Sequence, residues 1–544
     1  MLLLSNIFIS FAQDDNLRIA SSVSFIQEGS NALPGPVQSL QDETIPKNVL
    51  EKIKQAELQT SQIPHIAHYL TDVSGPRLTN SPGFARAADW AIKSFKSWGL
   101  TNTKLEPWGN FGKAWELQDF SISMKLPYFQ SIEALPLPFS ASTNGPIHAQ
   151  VILLTQAQAI DSVYIKTHYR DLKGKIILIL GQPLFTSGPE KAGDIFAPRA
   201  TRFTDDELSK TDDYYNYSYD QIHALNDQLR FGEKLNLLYD KAGAIAILHA
   251  EAGNTYGTIF NESFHGHQSK SKVPQVRMAY EDSQRIQRLI TSGHPVELAL
   301  NIKGSYSGND TKAYNVVGEI PGSDPKLKDQ VVILGAHLDS WSASTGATDN
   351  AAGCAVMMEA MRLLDSLHLQ PKRTIRIVLW SGEEQGILGS YNYVKNHYID
   401  ASTGNPNSTQ AKVSAYFNLD NGTGKIRGIY TQGNTAVKPL FDQWFQPFHD
   451  LGATTVADKY AGCTDHTSFD WAGIPGFEFI QDPIDYDNIT HHSNQDSYDH
   501  LQIEDLKQAA IIVAAFVYQS GNRSDLLPRK PFEKRLFEWD NLGL

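Results

Sequence analysis

From residue 314 onward the chain alternates apolar runs with amphipathic stretches. Val331–Leu334, Thr374–Leu379, Val413–Phe417 and Phe477–Ile480 are short and largely apolar, and the stretches 351–365 and 386–397 between them have helical spacing. Continuous apolar strands separated by helices predict a largely parallel sheet buried on both faces. The fold class read from the pattern is therefore α/β, with helices on both sides of the sheet.

Upstream the pattern changes twice. Residues 40–62 predict a helix, and Gly75–Gly83 is a loop by its glycine and proline content. Phe84, Ala88, Ala91, Phe95 and Trp98 then share one helical face, with Gly99 as the stop. Residues 103–135 read as strands. Between 140 and 303, Val151–Leu154, Lys175–Leu180 and Ala244–Leu248 are short apolar runs, and Val296, Leu298, Leu300 and Ile302 alternate with polar residues. This region predicts a small β-rich domain, interrupted at 185–235 by a polar, Tyr- and Asp-rich excursion that reads as a surface loop or lid. The apolar run 2–12 is too short for a membrane span, which takes about 20 residues. It predicts a cleaved signal peptide and hence a secreted or periplasmic protein, although no Lys or Arg precedes it; a buried N-terminal strand or helix is the other reading.

Composition narrows the class. The 544 residues carry 47 Lys and Arg against 60 Asp and Glu, a net charge of −13, which argues against a nucleic-acid partner. With 41% hydrophobic and 20% charged residues the chain has material for packed cores. Two cysteines, Cys354 and Cys463, exclude a disulfide scaffold, and whether they pair is open.

The chemistry sits where an open parallel sheet binds ligands, beyond the carboxyl ends of its strands. His337 and Asp339 follow the first strand, Glu383-Glu384 the second, and Asp420 the third; Asp349 lies in a loop opening a helix, and His491-His492 follow the last strand. Each has an ordinary explanation as a loop or helix-start residue. Together they would converge on one rim, where so many carboxylates repel unless cations neutralise them. An all N/O donor set suits Zn²⁺, with Co²⁺ or Mn²⁺ also compatible.

His337-Leu338-Asp339, Asp349-Asn350-Ala351-Ala352-Gly353, Ser381-Gly382-Glu383-Glu384, Asp420 and His492-Ser493-x-x-Asp496 together resemble the motifs of the M28 family of zinc exopeptidases. Gly75–Gly83, Thr464–Phe469 and Gly473–Pro475 resemble its flanking segments, and 140–303 resembles the protease-associated domain that many members carry as an insert. The likeness is strongest to the family's secreted branch. It implies a division into a signal peptide at 1–12, the N-terminal part of a peptidase domain at 13–139, the insert at 140–303 and the catalytic part at 304–544.

It further implies two Zn²⁺ ions, one on His337, Asp349 and Asp420, the other on Asp349, Glu384 and His492, with Asp349 as bridge and Glu383 as general base. Asp339 is expected to accept the second N–H of His337 through its carboxylate; Asp496 reads equally as the same partner for His492 or as a solvated loop acid. His492 is chosen over His491 because it fits the His-Ser/Thr-x-x-Asp pattern. Asp465, His466 and Tyr486 read as pocket wall or as stabilisers of the tetrahedral oxyanion, and equally as a turn-capping Asp and a rim Tyr. Arg77 reads either as a grip on a substrate carboxylate or, better, as one partner of a structural salt bridge.

The implied activity is hydrolysis of peptide bonds near a terminus of short peptides or dipeptides, of aminopeptidase, carboxypeptidase or dipeptidase type. An M20-type metallohydrolase is the nearest rival, but its extra domain is inserted later in the chain. A non-catalytic receptor on a peptidase fold is the rival from another class, against which stands the full ligand set plus base. No Gly-x-Ser-x-Gly elbow supports a serine hydrolase. The sequence sets no oligomeric state; a homodimer is one state open to it.

Overall fold

A computed structural model describes residues 43–180, 201–250 and 256–532; the expected signal peptide and part of the 185–235 excursion lie outside the described residues. Two eight-stranded mixed sheets organise the chain. In the first, the strands Thr374–Trp380, Val331–His337, Val413–Asn418 and Gly476–Gln481 run parallel side by side. Antiparallel Lys312–Ile320 and then Thr101–Asn110 extend one edge, and Ile426–Tyr430 with Thr455–Ala457 the other. The four parallel strands are buried almost end to end, which is why their sequences are apolar without alternation.

Helices cover both faces. Ala352–Ser366 and Ile503–Asn522 pack on one side with Pro82–Ser97, and their Met357, Met361, Phe516 and Phe95 join one core with Leu334, Ile377 and Phe417. Leu388–Tyr398 and His466–Trp471 pack on the other, around Trp380 and Tyr416. No helix among the described residues is long and apolar enough to cross a membrane.

The second sheet departs from the pattern read at 140–303. Its strands include Ala114–Leu126, Gln130–Ser131 and Ala134–Pro136, all upstream of 140, and Glu297–Ser307 runs past 303. Ala114–Leu126 pairs antiparallel with Glu297–Ser307 to form a long two-stranded stem. The partners are some 180 residues apart in the chain, so local pattern shows two strands but not which sheet they join. Nor is the lobe merely β-rich: Ile147–Thr155, Ile176–Leu180, Ala246–Ala250 and Gln275–Met278 are parallel neighbours. They are covered by helices that include the 24-residue Tyr219–Ala242 and Tyr280–Thr291.

Within the described part of the excursion, 201–235, residues 201–217 reach across to the first lobe and the rest belongs to the Tyr219–Ala242 helix. Arg202 pairs with Asp482 and Asp505, Tyr214 exchanges backbone hydrogen bonds with Tyr460 and Gly462, and the Tyr214 and Tyr215 hydroxyls donate to Asp487 at 3.0 and 2.7 Å. Between the lobes lies a cavity of about 1630 Å³.

Candidate metal centre

The ends of the parallel strands open into this cavity. His337 is the last residue of its strand, in register with Trp380, so the Glu383-Glu384 turn begins beside it. Asp349 sits in the turn before Ala352–Ser366. Gly346, which opens that turn, has φ +63°, and a Cβ there would stand 2.3 Å from the Ser340 Cβ; only glycine fits. Asp420 follows Val413–Asn418, and Glu478 of the neighbouring strand accepts its backbone N–H at 2.8 Å.

Asp349 faces both ways. Its Oδ1 is 3.1 Å from His337 Nε2, which is also 3.2 Å from Asp420 Oδ1. Its Oδ2 is 3.3 Å from His492 Nε2, which is 3.0 Å from Glu384 Oε2. Glu384 Oε1 accepts from the Trp341 N–H at 3.0 Å, leaving Oε2 toward His492. Glu383 Oε2 stands back, 4.0 Å from His337 Nε2. His491 is stacked on His492 with ring centres 3.7 Å apart, and its Nε2 is 3.8 Å from Asp349 Oδ2.

The electrostatics describe a crowd of carboxylates. Burial, then neighbouring Asp349, pushes Glu384 up to about 8, and burial pushes Asp465 to about 8 as well. Glu383 is raised well above the carboxylate range by burial and by Asp420, Asp465 and Glu384, which together outweigh His337. His337 moves well above the usual imidazole value: burial lowers it, but Asp420, Glu383 and Asp349 prevail. The buried Asp349 Oδ2 and Glu384 Oε2 take no hydrogen bond despite their closeness to His492. His492 Nε2 and these two oxygens thus converge without bonding one another, whereas His337 Nε2 is within hydrogen-bonding distance of Asp420 Oδ1. Three overlapping groups of His, Asp and Glu have donor atoms within 4.8 Å of each other, drawn from His337, Asp349, Glu383, Glu384, Asp420, His491 and His492. This donor set fits divalent cations.

Three expectations are corrected by the surroundings. The Nδ1 of His337 lies 3.0 Å from the backbone carbonyl of Asp339, while the Asp339 carboxylate is 3.7 Å away. That carboxylate instead accepts from Thr79 Oγ1 and from the Glu383 and Glu384 N–H groups, because the chain turns back across the strand end. Asp496 bonds Thr348 and the Asp349 N–H, holding the Asp349 turn and not His492. Arg77 is fully buried with no carboxylate partner among the described residues: its guanidinium donates to the carbonyls of Leu70, Leu338, Thr345 and Gly346. Cys354 and Cys463 are both free thiols.

Two contributors escaped the sequence reading. Glu478 carried a usable signal, a lone acid in the otherwise apolar Gly476–Gln481 strand, where it also accepts from Asn418 and Asn421. Glu262, from the second lobe, carried none; its Oε2 is 2.6 Å from His492 Nδ1. Burial pushes the Glu262 carboxyl up, but His492 and then Arg277 outweigh it and hold it at about 2. Of the residues expected on the pocket wall, Tyr486 lines the cavity and packs on His491, whereas Asp465 and His466 are fully buried and do not line it, His466 Nδ1 lying 3.5 Å from Glu478.

Residues 315–517 match peptidase family M28, a span that contains every candidate ligand. Over that span the chain carries a peptidase M28 domain. The chain is a hydrolase of metallo-exopeptidase type. Human carboxypeptidase Q is 26% identical over 462 residues, 85% of each chain. Among solved structures, a peptidase M28 precursor from Shewanella amazonensis covers 89% of this chain and 98% of its own, with a TM-score of 0.64 and 24% identity. BSAP, a zinc aminopeptidase from Bacillus subtilis, covers 87% of this chain and 98% of its own, with a TM-score of 0.55 and 21% identity. These two likenesses speak for the M28 fold in both lobes.

Proposed function

We propose that the chain is a two-zinc exopeptidase of short peptides, with one ion held by His337, Asp349 and Asp420 and the other by Asp349, Glu384 and His492. The observation that carries this reading is Asp349, whose two oxygens face two separate imidazole–carboxylate pairs. Bound there, the ions would supply Lewis-acid activation of the scissile carbonyl and of water. Glu383 is the general base: its Oε2 takes the proton of the attacking water and returns it to the leaving amine. The Asp339 carboxylate holds the Glu383-Glu384 turn in place through two backbone N–H groups.

The 201–217 strap and the second lobe, read as a protease-associated-like insert, wall the cavity and favour short substrates over folded chains. Its charge favours the amino end. Arg277 and Lys530 are the only Lys or Arg lining it among the described residues, and Lys530 is bonded to Asp470. Beyond the ligands, Glu383 and the paired Glu262 and Asp470, acidic Asp220, Glu233, Asp487 and Glu478 remain. An ammonium is the substrate terminus such a wall attracts. Export is the further part of this reading, resting on the apolar run 2–12.

The test is hydrolysis of free dipeptides, N-blocked peptides, C-amidated peptides and aminoacyl anilides, after chelation and again after zinc is restored, with bound metal counted. Zinc-restored cleavage that N-blocking stops is expected. Cleavage that C-amidation stops would assign the carboxypeptidase type instead, and no bound metal with no cleavage would overturn the reading in favour of a receptor.

A further inference from the structure

We infer that Glu262, a residue of the second lobe outside the matched peptidase region, positions His492 and so completes one half of the metal centre. This rests on the two-zinc reading above.

The two imidazoles are held differently. His337 finds its Nδ1 partner in its own loop, the Asp339 carbonyl. His492 finds its partner across the cavity, in the Glu262 carboxylate at 2.6 Å. The contact is part of a built joint. Phe260 and Ser493 form an antiparallel bridge, the Asn261 N–H donates to the His492 carbonyl at 2.8 Å, and Asn494 bonds the backbone of Ile259 and Gly257. The Asn261 side chain ties this ribbon to Pro136 in the second sheet at 2.9 Å. Phe264 and Trp341 stand edge-on to the His492 ring. His492 itself has φ +60°, a left-handed conformation that a non-glycine residue keeps only where its surroundings hold it.

The chemistry follows from the tautomer. A neutral imidazole has one N–H, and donation from Nδ1 to Glu262 leaves the Nε2 lone pair for the side where Asp349 and Glu384 wait. Without that acceptor the other tautomer, with its proton on Nε2, competes and cannot bind a cation. The His337 half has no such dependence on the second lobe.

The experiment is a zinc titration of the full chain against a competing chelator, for wild type, Glu262→Ala and Glu262→Gln, with thermal melts of the zinc-free proteins. In Glu262→Ala we expect one ion to weaken about 10- to 100-fold while the other keeps its wild-type affinity. Glu262→Gln, whose amide oxygen still accepts the Nδ1 proton, recovers most of that loss. Wild-type affinity for both ions in both variants would overturn the inference, as would equal weakening of both ions with a lowered zinc-free melt. A wild-type chain that binds fewer than two ions would instead remove the two-zinc reading.

Discussion

The Thr79 hydroxyl lies 2.9 Å from the Asp339 carboxylate and also accepts the Gly382 N–H at 3.0 Å. One side chain from the loop before Pro82–Ser97 therefore fastens the strand end that carries His337 to the turn that carries Glu383. Thr79→Val keeps the shape and deletes the hydroxyl, leaving a buried N–H unpaired and a carboxylate short of a donor. A loss of about 1–3 kcal/mol is expected in chemical denaturation, together with a fall in turnover as the Glu383 turn loosens. Unchanged stability and turnover would mean the contact is incidental.

Asp339→Asn tests the same turn from the other side. The amide cannot accept all three donors that the carboxylate holds, so the Glu383-Glu384 turn shifts while the His337 partner, a backbone carbonyl, stays. A drop of about 10- to 100-fold in kcat/KM with both metals retained is expected. Loss of the metal on His337 would show that the carboxylate acts on that imidazole after all.

Glu383→Gln preserves volume and removes the proton acceptor. Metal content should be that of the wild type, and kcat should fall by about 10²- to 10⁴-fold, the usual contribution of a general base. Metal analysis beside steady-state kinetics checks it, and near-normal turnover would exclude Glu383 from the role.

Arg77→Met removes four hydrogen bonds to buried carbonyls and keeps much of the apolar volume. Three of those carbonyls, of Leu338, Thr345 and Gly346, belong to the segments leading into the Asp349 turn, and the fourth is that of Leu70. Unfolding free energy should fall by about 3 kcal/mol or more. Arg77→Lys, with a compact ammonium in place of the planar fork, should recover little of it. Full stability in the methionine variant would refute the structural role.

A pH effect is expected far from the centre. Glu57 is fully buried, and burial together with the neighbouring Glu359 carboxylate raises it to about 9 from the ordinary 4.5. Glu359 is committed to Arg362 at 2.6–2.7 Å, and Glu57 Oε2 has no partner among the described residues unless it carries a proton. The folded state thus holds this proton more tightly than the unfolded state. Stability from this group is complete below about pH 4.5 and is lost as the pH rises toward 9. Glu57→Gln supplies a permanent donor, so it should exceed wild type by on the order of 1–3 kcal/mol near pH 8 and converge with it near pH 5. Parallel stability–pH curves for the two proteins would contradict this.

Much of the centre could be read from the chain because its parts are local. Apolar runs of strand length, each followed within a few residues by His, Asp or Glu, place those side chains at the rim of a parallel sheet. Strand burial and rise are short-range consequences of residue order. His337, Asp349, Glu383, Glu384, Asp420 and His492 therefore stood out before any coordinates, as did the helices that cover the sheet.

Other relationships have no local signature. Ala114–Leu126 joins the second sheet only because Glu297–Ser307 pairs with it from far along the chain. Asp339 lends His337 its carbonyl and not its carboxylate because Thr79 and the Glu383 turn claim the acid first. Asp496 and Arg77 went to the Asp349 turn and to buried carbonyls, partners that only packing supplies. Glu262 sits in a stretch with no motif at all and reaches His492 because two lobes close on each other. Residue order dictates which groups a strand end offers; which of them meet is decided by contacts between segments hundreds of residues apart, where geometry and desolvation choose among donors and acceptors that look alike along the chain.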